Sequence, residues 1–262
     1  MVVSVASAEQ KATKYVLLLQ GPVGPFFAEL QTALSDAGFA TRRVVFNAGD
    51  KLFAPRQNCA VFSGTETEWE MWLRFEIVQN APDAIVLFGS NRPAHKIACR
   101  VAACYGIDVL SLEEGYLRSG YVSCEFGGNN QLSPLRAWDA KPAPMRGTTV
   151  DPAPTFGAQP SSFATMAFWA AAYYFVRDLA SKPADVHLFH RARERILPMS
   201  WRWGIHVLRR LSARVTEFPT RQALSRRPGY ILIPFQVASD SQLQAAARGW
   251  STHRLIDSAL MA

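Results

Sequence analysis

Glu113 and Glu114 are adjacent carboxylates that directly follow an apolar, strand-like run, "IDVLSL". Placing charge at the end of a buried strand costs free energy, so such residues commonly serve binding or catalysis. At the carboxyl end of a parallel strand, a carboxylate can act as a general base toward a hydroxyl group if burial or a neighbouring charge lifts its pKa. A helix-capping or salt-bridged acidic pair is the alternative interpretation.

A second acidic residue, Asp240, lies in a loop between a predicted strand and a predicted helix, in "PFQVASDSQL". Polar side chains flank it: Gln236, Ser239, Ser241 and Gln242. This loop has the same character as the Glu113-Glu114 strand end and predicts a second functional position. A simple N-cap formed by Ser239 or Asp240 explains the pattern equally well.

A glycine-rich loop, "QGPVGP" over residues 20–25, connects a predicted strand to a predicted helix. Backbone amides in such a loop could bind a phosphate or a sugar. The loop matches neither the GxGxxG nucleotide-binding pattern nor the lysine-containing P-loop pattern. A purely structural turn therefore stays open as an interpretation.

Metal and hydrolase chemistry have little support in the sequence. His187, His190 and Glu194 share one face of a predicted helix, but a solvated face explains them better than a metal site because no further ligand is near. There is no DxD motif and no GxSxG nucleophile elbow.

The four cysteines form no CxxC pair, which predicts reduced thiols in the core. They are Cys59, Cys99, Cys104 and Cys124.

The elements that must position these residues alternate between strand and helix. The pattern predicts a strand over 15–19, a helix over 26–36 and a strand over 40–46; a second cycle then ends in the strand "IDVLSLEEG". Alternation of this kind predicts an α/β fold with a parallel sheet, in which ligands bind at the carboxyl ends of the strands. All the predicted strand ends carry polar or glycine-rich loops.

Composition divides the chain into four predicted regions. Residues 14–137 form a Rossmann-like lobe, 138–160 a Pro-rich linker, 161–228 a basic helical segment, and 229–262 the start of a second Rossmann-like lobe. One strand and one helix cannot form an independent lobe, because they have no sheet to join.

The net charge of +7 comes from the basic segment. Residues 177–227 hold twelve Lys or Arg and four Asp or Glu, an excess of eight. Such a segment can meet anionic lipid, nucleic acid or a phosphorylated substrate, or it can be a solvated, arginine-rich helix.

The longest apolar run, residues 163–176, is shorter than the roughly 20 residues of a membrane-spanning helix. The start of the chain does not read as a secretory signal, and a cytoplasmic location is expected.

Four separated stretches resemble one known family: "LLLQGPVGPFFAELQTAL", "RVVFNAGD", "LEEGYLRSGYVSCEFGGNN" and "ILIPFQVASDSQL". They are similar to the KpsS-like capsular polysaccharide biosynthesis and export proteins of Gram-negative bacteria. The resemblance implies a GT-B-like glycosyltransferase that transfers Kdo from CMP-Kdo, with retention, to a lipid-linked Kdo acceptor. It implies no cofactor beyond this donor.

The resemblance also implies roles for individual residues. Asp240 corresponds to the nucleophile, and Glu114, with Glu113 beside it, corresponds to the acid/base partner. The residues that would bind substrate are Gln20, Gly21, Gly24, Asn47, Asp50, Arg118, Gln236, Ser241 and Gln242. The expected partners are a lipid-linked saccharide, other capsule-assembly proteins and the anionic inner-membrane surface, with no nucleic acid.

The chain departs from this family in one respect. No stretch matches the histidine-containing "KVHP"-like motif that helps to hold CMP in the second lobe, so the chain resembles an N-terminal portion and little transferase activity is expected of it. Two other functions stay open. One is a non-catalytic partner in capsule assembly at the inner membrane, and the other is an unrelated sugar-phosphate- or nucleotide-binding α/β protein.

Overall fold

A computed structural model describes residues 13–114, 121–137, 163–189 and 196–226, the single residues 233, 235 and 247, and residues 249–261. Its strands are β1 (Tyr15–Leu19), β2 (Ala40–Val45), β3 (Cys59–Val61), β4 (Ala84–Phe88), β5 (Asp108–Glu114) and β6 (Val122–Phe126). Its α-helices are α1 (Phe26–Asp36), α2 (Ala48–Leu52), α3 (Glu66–Asn80), α4 (Pro93–Tyr105), α5 (Phe163–Ala180), α6 (Ile196–Ser225) and α7 (Thr252–Met261).

The six strands form one sheet in the order β3-β2-β1-β4-β5-β6. Strands β1 to β5 pair in parallel, and β6 pairs with β5 in the antiparallel direction. The prediction of an α/β, Rossmann-like fold is confirmed. The prediction of a purely parallel sheet is wrong at its edge, because the polar stretch after Glu114 contains strand β6 rather than only a turn.

Helices cover both faces of the sheet. On one face, Leu17, Leu19, Ile85 and Leu87 pack with apolar residues of α3 and α4. On the other face, Val16, Leu18, Val86 and Phe88 pack against α1. Successive residues of β1 and β4 therefore point to opposite faces, which explains why these two central strands are apolar almost without interruption.

Local signals in the sequence set the ends of the helices that flank the central strands. Thr65 and Glu68 form a capping box at the start of α3. Helix α4 begins with Pro93 and ends at Gly106, which adopts a left-handed conformation. These signals fix where α3 and α4 begin and where the chain leaves α4 toward β5.

A third apolar cluster joins α2, α5 and the start of α6. It includes Phe53, Trp169, Tyr173 and Met199. Because α5 packs directly on α2, the residues that follow β2 lie against a helix more than a hundred positions later in the chain.

Some regions named in the sequence analysis lie outside the described residues. These are the linker over 138–160 and nearly all of the stretch 227–248 that contains the predicted second-lobe strand. The predicted last helix is present as α7. All four cysteines are free thiols, but the prediction that they lie in the core is wrong for Cys104 and Cys124, which are exposed.

Candidate functional site

The strand order creates a crevice between the loops that follow β1 and β4. From β1 the chain moves outward through β2 and β3, whereas from β4 it moves the other way through β5. Ligands in sheets of this kind bind where the two halves diverge, outside the carboxyl ends of the strands. The crevice is bounded by the loop over 20–25 and by the loop over 89–92.

The loop after β1 starts with two residues of positive φ. Gln20 has φ of 56° and Gly21 has φ of 105°. A Cβ at Gly21 would lie 2.6 Å from the Phe27 ring, so no larger residue fits without displacing α1. The left-handed turn therefore holds the Gln20 side chain at the carboxyl end of the sheet, and α1 packs against the turn through Phe27.

A buried carboxylate, Asp50, collects several hydrogen bonds in the crevice. Its Oδ1 accepts from Gln20 Nε2 at 3.0 Å and from the Tyr173 hydroxyl at 3.0 Å. Its Oδ2 accepts from Asn47 Nδ2 at 2.9 Å and from the Phe46 amide at 3.1 Å. Burial raises the pKa of the Asp50 carboxyl, and the hydrogen bonds from Gln20, Phe46 and Tyr173 act in the opposite direction.

Asn47 connects this carboxylate to two helices. Its Oδ1 accepts from the Asp50 amide at 2.9 Å and caps α2, and its Nδ2 also donates to the Tyr173 hydroxyl at 3.2 Å. Gly49 is needed here, because a Cβ at that position would lie 2.8 Å from the Tyr173 carbonyl oxygen. Helix α5 is thus fastened to the crevice by Tyr173.

Arg43 supports the crevice from within the sheet. Its Nε donates to the Gln20 carbonyl at 2.8 Å, and its Nη1 donates to the Phe53 carbonyl at 2.7 Å. The guanidinium is almost fully buried, and burial lowers its pKa. Arg43 therefore fixes the backbone on both sides of the Asp50 cluster.

Arg92 belongs to the loop after β4, and its side chain reaches across the crevice to the loop after β1. Its Nη1 donates to the Gly21 carbonyl at 2.8 Å. Burial lowers the pKa of the Arg92 guanidinium, whereas the negative charges of Asp50 and Glu113 act in the opposite direction. The loops after β1 and β4 are thereby joined by a cation that faces carboxylates from α2 and β5.

The side chains of Glu113 and Glu114 point to opposite faces of the sheet, because consecutive residues of a strand alternate between its faces. Glu113 is half-buried, and its Oε2 lies 3.6 Å from the position that a Cβ on Gly89 would occupy. Glu114 is exposed and points to the opposite face of the sheet. Of the pair, Glu113 is the one that faces the crevice.

The loop after β6 closes the β5 side of the site. Asn129 is fully buried; its Nδ2 donates to the Ser111 carbonyl at 2.9 Å, and its side-chain oxygen accepts from the Ser111 hydroxyl. The Asn129 amide also donates to the Ser90 hydroxyl at 3.3 Å. The "GGNN" stretch thus ties together the ends of β4 and β5.

His95 lies beneath the loop after β4. It is fully buried, and its Nδ1 is 2.8 Å from the Gly89 carbonyl, to which it donates when that nitrogen carries the proton. Burial lowers the pKa of His95 to about 3, and the nearby Arg92 charge acts in the same direction. The ring is therefore neutral at physiological pH.

Comparison with known proteins decides the family. The family described as capsule polysaccharide biosynthesis protein matches residues 83–260, more than half of the chain. This chain belongs to that family.

Two relatives show the range of the similarity. A capsule polysaccharide modification protein LipB from Neisseria meningitidis is 32% identical over 248 residues, which cover 89% of this chain and 57% of the relative. The capsule polysaccharide export protein KpsS of Escherichia coli is 42% identical over 122 residues, 47% of this chain and 31% of the relative. The chain thus spans little more than half the length of the first of these relatives.

In this capsule family member, the structure gathers several of the residues predicted from the sequence. Those at the carboxyl edge of the sheet are Gln20, Gly21, Gly24, Asn47, Asp50, Glu113 and Glu114. Arg118, Gln236, Asp240, Ser241 and Gln242 lie outside the described residues. Their assigned roles stay predictions, and so does the choice between Glu113 and Glu114 as the acid/base partner.

The sequence analysis missed several residues that shape the site of this family member, among them Arg92, His95 and Tyr173. A signal for Arg92 exists, because it directly precedes Pro93 at the start of α4 and follows a strand end. Tyr173 carries no local signal, since it reaches Asp50 from 123 positions away.

Metal-binding clusters and membrane-spanning helices were also sought. The described part of the chain holds no group of three or more His, Cys, Asp or Glu that could bind a metal ion. His190 and Glu194 of the weak metal hypothesis lie outside that part. Within the same residues, no helix is long and apolar enough to cross a membrane.

A polar cavity of about 450 Å³ lies at the other end of the sheet. It is lined by Tyr15, Thr41, Arg42, Asn58, Cys59 and Asn80. These residues lie near the amino ends of β1, β2 and β3, away from the crevice, so this cavity is not part of the candidate site.

Proposed function

We propose that this chain forms the acceptor-side lobe of a GT-B-like glycosyltransferase that acts in capsule polysaccharide biosynthesis. In this proposal the enzyme transfers Kdo from CMP-Kdo, with retention, to a lipid-linked saccharide. The observation that supports it is the position of a half-buried carboxylate, Glu113, beside the loop that follows β4, at the divergence of the sheet. Membership of the capsule family supports the biological setting.

The chemistry assigns different tasks to the two sides of the crevice. Glu113 accepts the proton of the acceptor hydroxyl as it attacks, which is the work of a general base. The Asp50 cluster is too fully hydrogen-bonded to accept that proton and instead holds the wall of the crevice in place. Asp240, as the nucleophile, attacks the anomeric carbon of Kdo and displaces CMP. The acceptor hydroxyl then attacks this glycosyl-enzyme, releases the Asp240 carboxylate and gives its proton to Glu113.

Acceptor binding is the first test. We expect the chain to bind a Kdo-terminated lipid acceptor in calorimetric titration, and Glu113→Gln to weaken binding about tenfold by removing a charge-assisted hydrogen bond. Glu114→Gln is the matched control, because Glu114 points to the other face of the sheet, and it should bind as the unaltered chain does. No detectable binding, or equal effects of the two substitutions, would contradict the proposal.

Transfer itself is measured with CMP-Kdo generated in situ and mass spectrometry of the acceptor. Turnover that is lost in both Asp240→Ala and Glu113→Gln supports catalysis by this chain. Acceptor binding without turnover supports the alternative of a non-catalytic partner in capsule assembly.

We also propose that helix α6 brings the protein to the anionic surface of the inner membrane. Large apolar side chains of α6 are exposed at spacings of seven, three and seven residues, which places them along one side of the helix: Trp201, Leu208, Leu211 and Phe218. Arg202 and Arg209 lie beside this stripe and are exposed. An apolar stripe flanked by arginines is typical of helices that lie in a membrane interface.

A further inference from the structure

The polar cavity near the amino ends of β1, β2 and β3 has the size and the lining of a ligand-binding site. Its volume is about 450 Å³, within the roughly 300–1,000 Å³ of small-molecule sites. Every residue that lines it carries a polar side-chain group: Tyr15, Thr41, Arg42, Asn58, Cys59 and Asn80. Such a cavity suits a polar ligand, because a polar group buried without a hydrogen-bond partner costs free energy.

Arg42 presents one edge of its guanidinium to a ligand. Its Nη1 donates to the two carboxylate oxygens of Glu76 at 2.9 and 2.8 Å, and Nη1 makes all the hydrogen bonds that Arg42 forms through its side chain within the described parts of the chain. The N–H groups of Nε and Nη2 remain, on a side chain that is 40% exposed. Two N–H groups on one edge of a guanidinium match the two oxygens of a carboxylate or a phosphate.

Neighbouring side chains fix the orientation of this guanidinium. Glu76 is almost fully buried, and its Oε1 accepts both from Arg42 Nη1 and from the Tyr15 hydroxyl, which lies 3.0 Å away. The Cζ of Arg42 lies 5.9 Å from the centre of the Trp72 ring, within the range of a cation–π contact. The guanidinium is therefore oriented before a ligand arrives, which lowers the entropy cost of binding.

Asn58 and Asn80 bring two amides to the same cavity. Both residues are exposed, and neither side-chain amide has a hydrogen-bond partner among the residues that the structure describes. The Asn58 backbone is fixed, because its carbonyl accepts from the Arg43 amide at 2.8 Å and from Gln31 Nε2 at 3.2 Å. An amide both donates and accepts, so it suits a hydroxyl group, which does the same.

The charges around the cavity favour an anion. Burial raises the pKa of the Cys59 thiol, the charges of Arg43, Lys51 and Arg42 act in the opposite direction, and the charge of Asp50 acts with burial. Cations thus prevail over carboxylates at this residue of the cavity lining.

The carboxylates closest in the structure to Tyr15 are already engaged. Glu76 accepts from Arg42 and from the Tyr15 hydroxyl, and Asp83 Oδ2 accepts from the Tyr15 amide at 2.7 Å. Their negative charge is therefore partly offset by these donors, which leaves the unused edge of Arg42 to attract an anionic ligand.

We propose that this cavity binds an acidic sugar, that is, a hydroxylated ring that carries a carboxylate or a phosphate. The anionic group pairs with the Nε and Nη2 edge of Arg42, and the ring hydroxyls bind the amides of Asn58 and Asn80. In a member of a capsule polysaccharide biosynthesis family, this would be a second saccharide site, at the opposite end of the sheet from the crevice. It does not depend on the transfer reaction proposed for the crevice.

NMR titration of the unaltered chain tests the site with glucuronate, glucose 6-phosphate and glucose. We expect at least one of the two acidic sugars to shift the Nε resonance of Arg42 and the side-chain amide resonances of Asn58 and Asn80. Glucose should bind at least about tenfold more weakly, because it lacks the group that pairs with Arg42. The tighter of the two acidic sugars shows whether the anionic group is a carboxylate or a phosphate.

Arg42→Lys is the main variant. Lysine keeps a cation beside Glu76 but lacks the paired N–H groups, so the acidic sugar should bind about tenfold more weakly. Arg100→Lys is the matched control, since Arg100 is exposed on α4 and pairs with Glu70.

Asn80→Ala keeps the test decisive if Arg42→Lys fails to fold. It removes an exposed amide and should weaken binding about fivefold, the effect of one hydrogen bond. Gln79→Ala, at the neighbouring exposed position, should bind as the unaltered chain does.

Cys59 offers a readout that locates the ligand, because it lines the cavity. The bound acidic sugar should slow the alkylation of Cys59 by iodoacetamide, measured by mass spectrometry, and leave the exposed Cys104 and Cys124 unaffected. The inference is overturned if neither acidic sugar binds, if glucose binds as tightly, or if each variant and its control lose affinity equally. Binding that shifts only resonances of the crevice and leaves Cys59 unprotected overturns it as well.

Discussion

At the scale of single residues, some polar side chains of the crevice hydrogen-bond to one another and hold its wall in place. Asn47 and Asp50 were predicted as substrate-binding residues from a family resemblance, and the structure shows them engaged with Gln20, Phe46 and Tyr173. The sequence could indicate that this stretch is polar and follows a strand end. It could not separate a substrate-binding role from a structural one, because the two depend on partners that come from other elements.

His95 provides a prediction about pH. In the folded protein its pKa is lowered to about 3 by burial, whereas in the unfolded chain it is near 6.5, so below pH 6.5 the unfolded chain takes up a proton that the folded protein does not. The contribution of His95 to stability is therefore complete above pH 6.5 and is lost as pH falls toward 3, by up to about 1.4 kcal/mol per pH unit. Urea unfolding between pH 7 and pH 4.5 measures this slope.

The matched variants for this prediction are His95→Asn and His206→Asn. Asparagine at 95 can still donate to the Gly89 carbonyl but does not titrate, so this variant should lose stability more gradually than the unaltered protein as pH falls. His206 is exposed on α6, and its replacement is the control for the loss of a histidine from the surface. Parallel curves for His95→Asn and the unaltered protein would show that His95 does not cause the pH dependence.

At the scale of elements, the sequence predicted the long, periodic segments and missed the short ones. Strand β1 and helix α1 lie where the pattern placed them, Tyr15–Leu19 and Phe26–Asp36. Strand β3 has three residues and helix α2 has five, too few for a period to be detected. Strand β6 was missed because its alternating exposure follows an acidic pair and precedes two glycines, a composition typical of a loop.

The contact between α2 and α5 provides a prediction at this scale. Tyr173→Phe removes the hydroxyl that donates to Asp50 Oδ1 and accepts from Asn47, and it leaves both groups buried with one partner fewer. We expect the free energy of unfolding to fall by about 1–3 kcal/mol. The neighbouring Tyr174→Phe is the control, since Tyr174 contributes ring contacts with Tyr173 and Trp203. Equal losses in the two variants, measured by urea unfolding, would mean that the hydroxyl does not fasten α5 to the crevice.

At the scale of the whole molecule, fold class and family could be predicted from the sequence because the motifs lie at successive strand ends. The order of the strands could not be predicted from the sequence, since it depends on which strands pair within the sheet. That order places the loops after β1 and β4 side by side, where Arg92 donates to the Gly21 carbonyl. The charge pattern was also incomplete as a guide: Arg177, counted within the basic segment, is buried between Tyr174 and Phe189 and paired with Asp178.

Membrane association tests the exposed face of α6. Trp201, Leu208 and Phe218 are 73%, 66% and 68% exposed, and contact with a bilayer interface would bury their apolar surface. Each arginine near an anionic surface adds about 1 kcal/mol, so binding to vesicles of phosphatidylglycerol should be stronger than binding to phosphatidylcholine and should weaken as salt is raised.

Replacing both Arg202 and Arg209 by glutamine should reduce affinity for the anionic vesicles by about 2 kcal/mol, a factor of about 30. The double replacement of the exposed Arg56 and Lys96 by glutamine removes the same charge from another surface and should have little effect. Equal sedimentation with both kinds of vesicle, or equal losses in the two double variants, would show that α6 does not direct the protein to an anionic membrane.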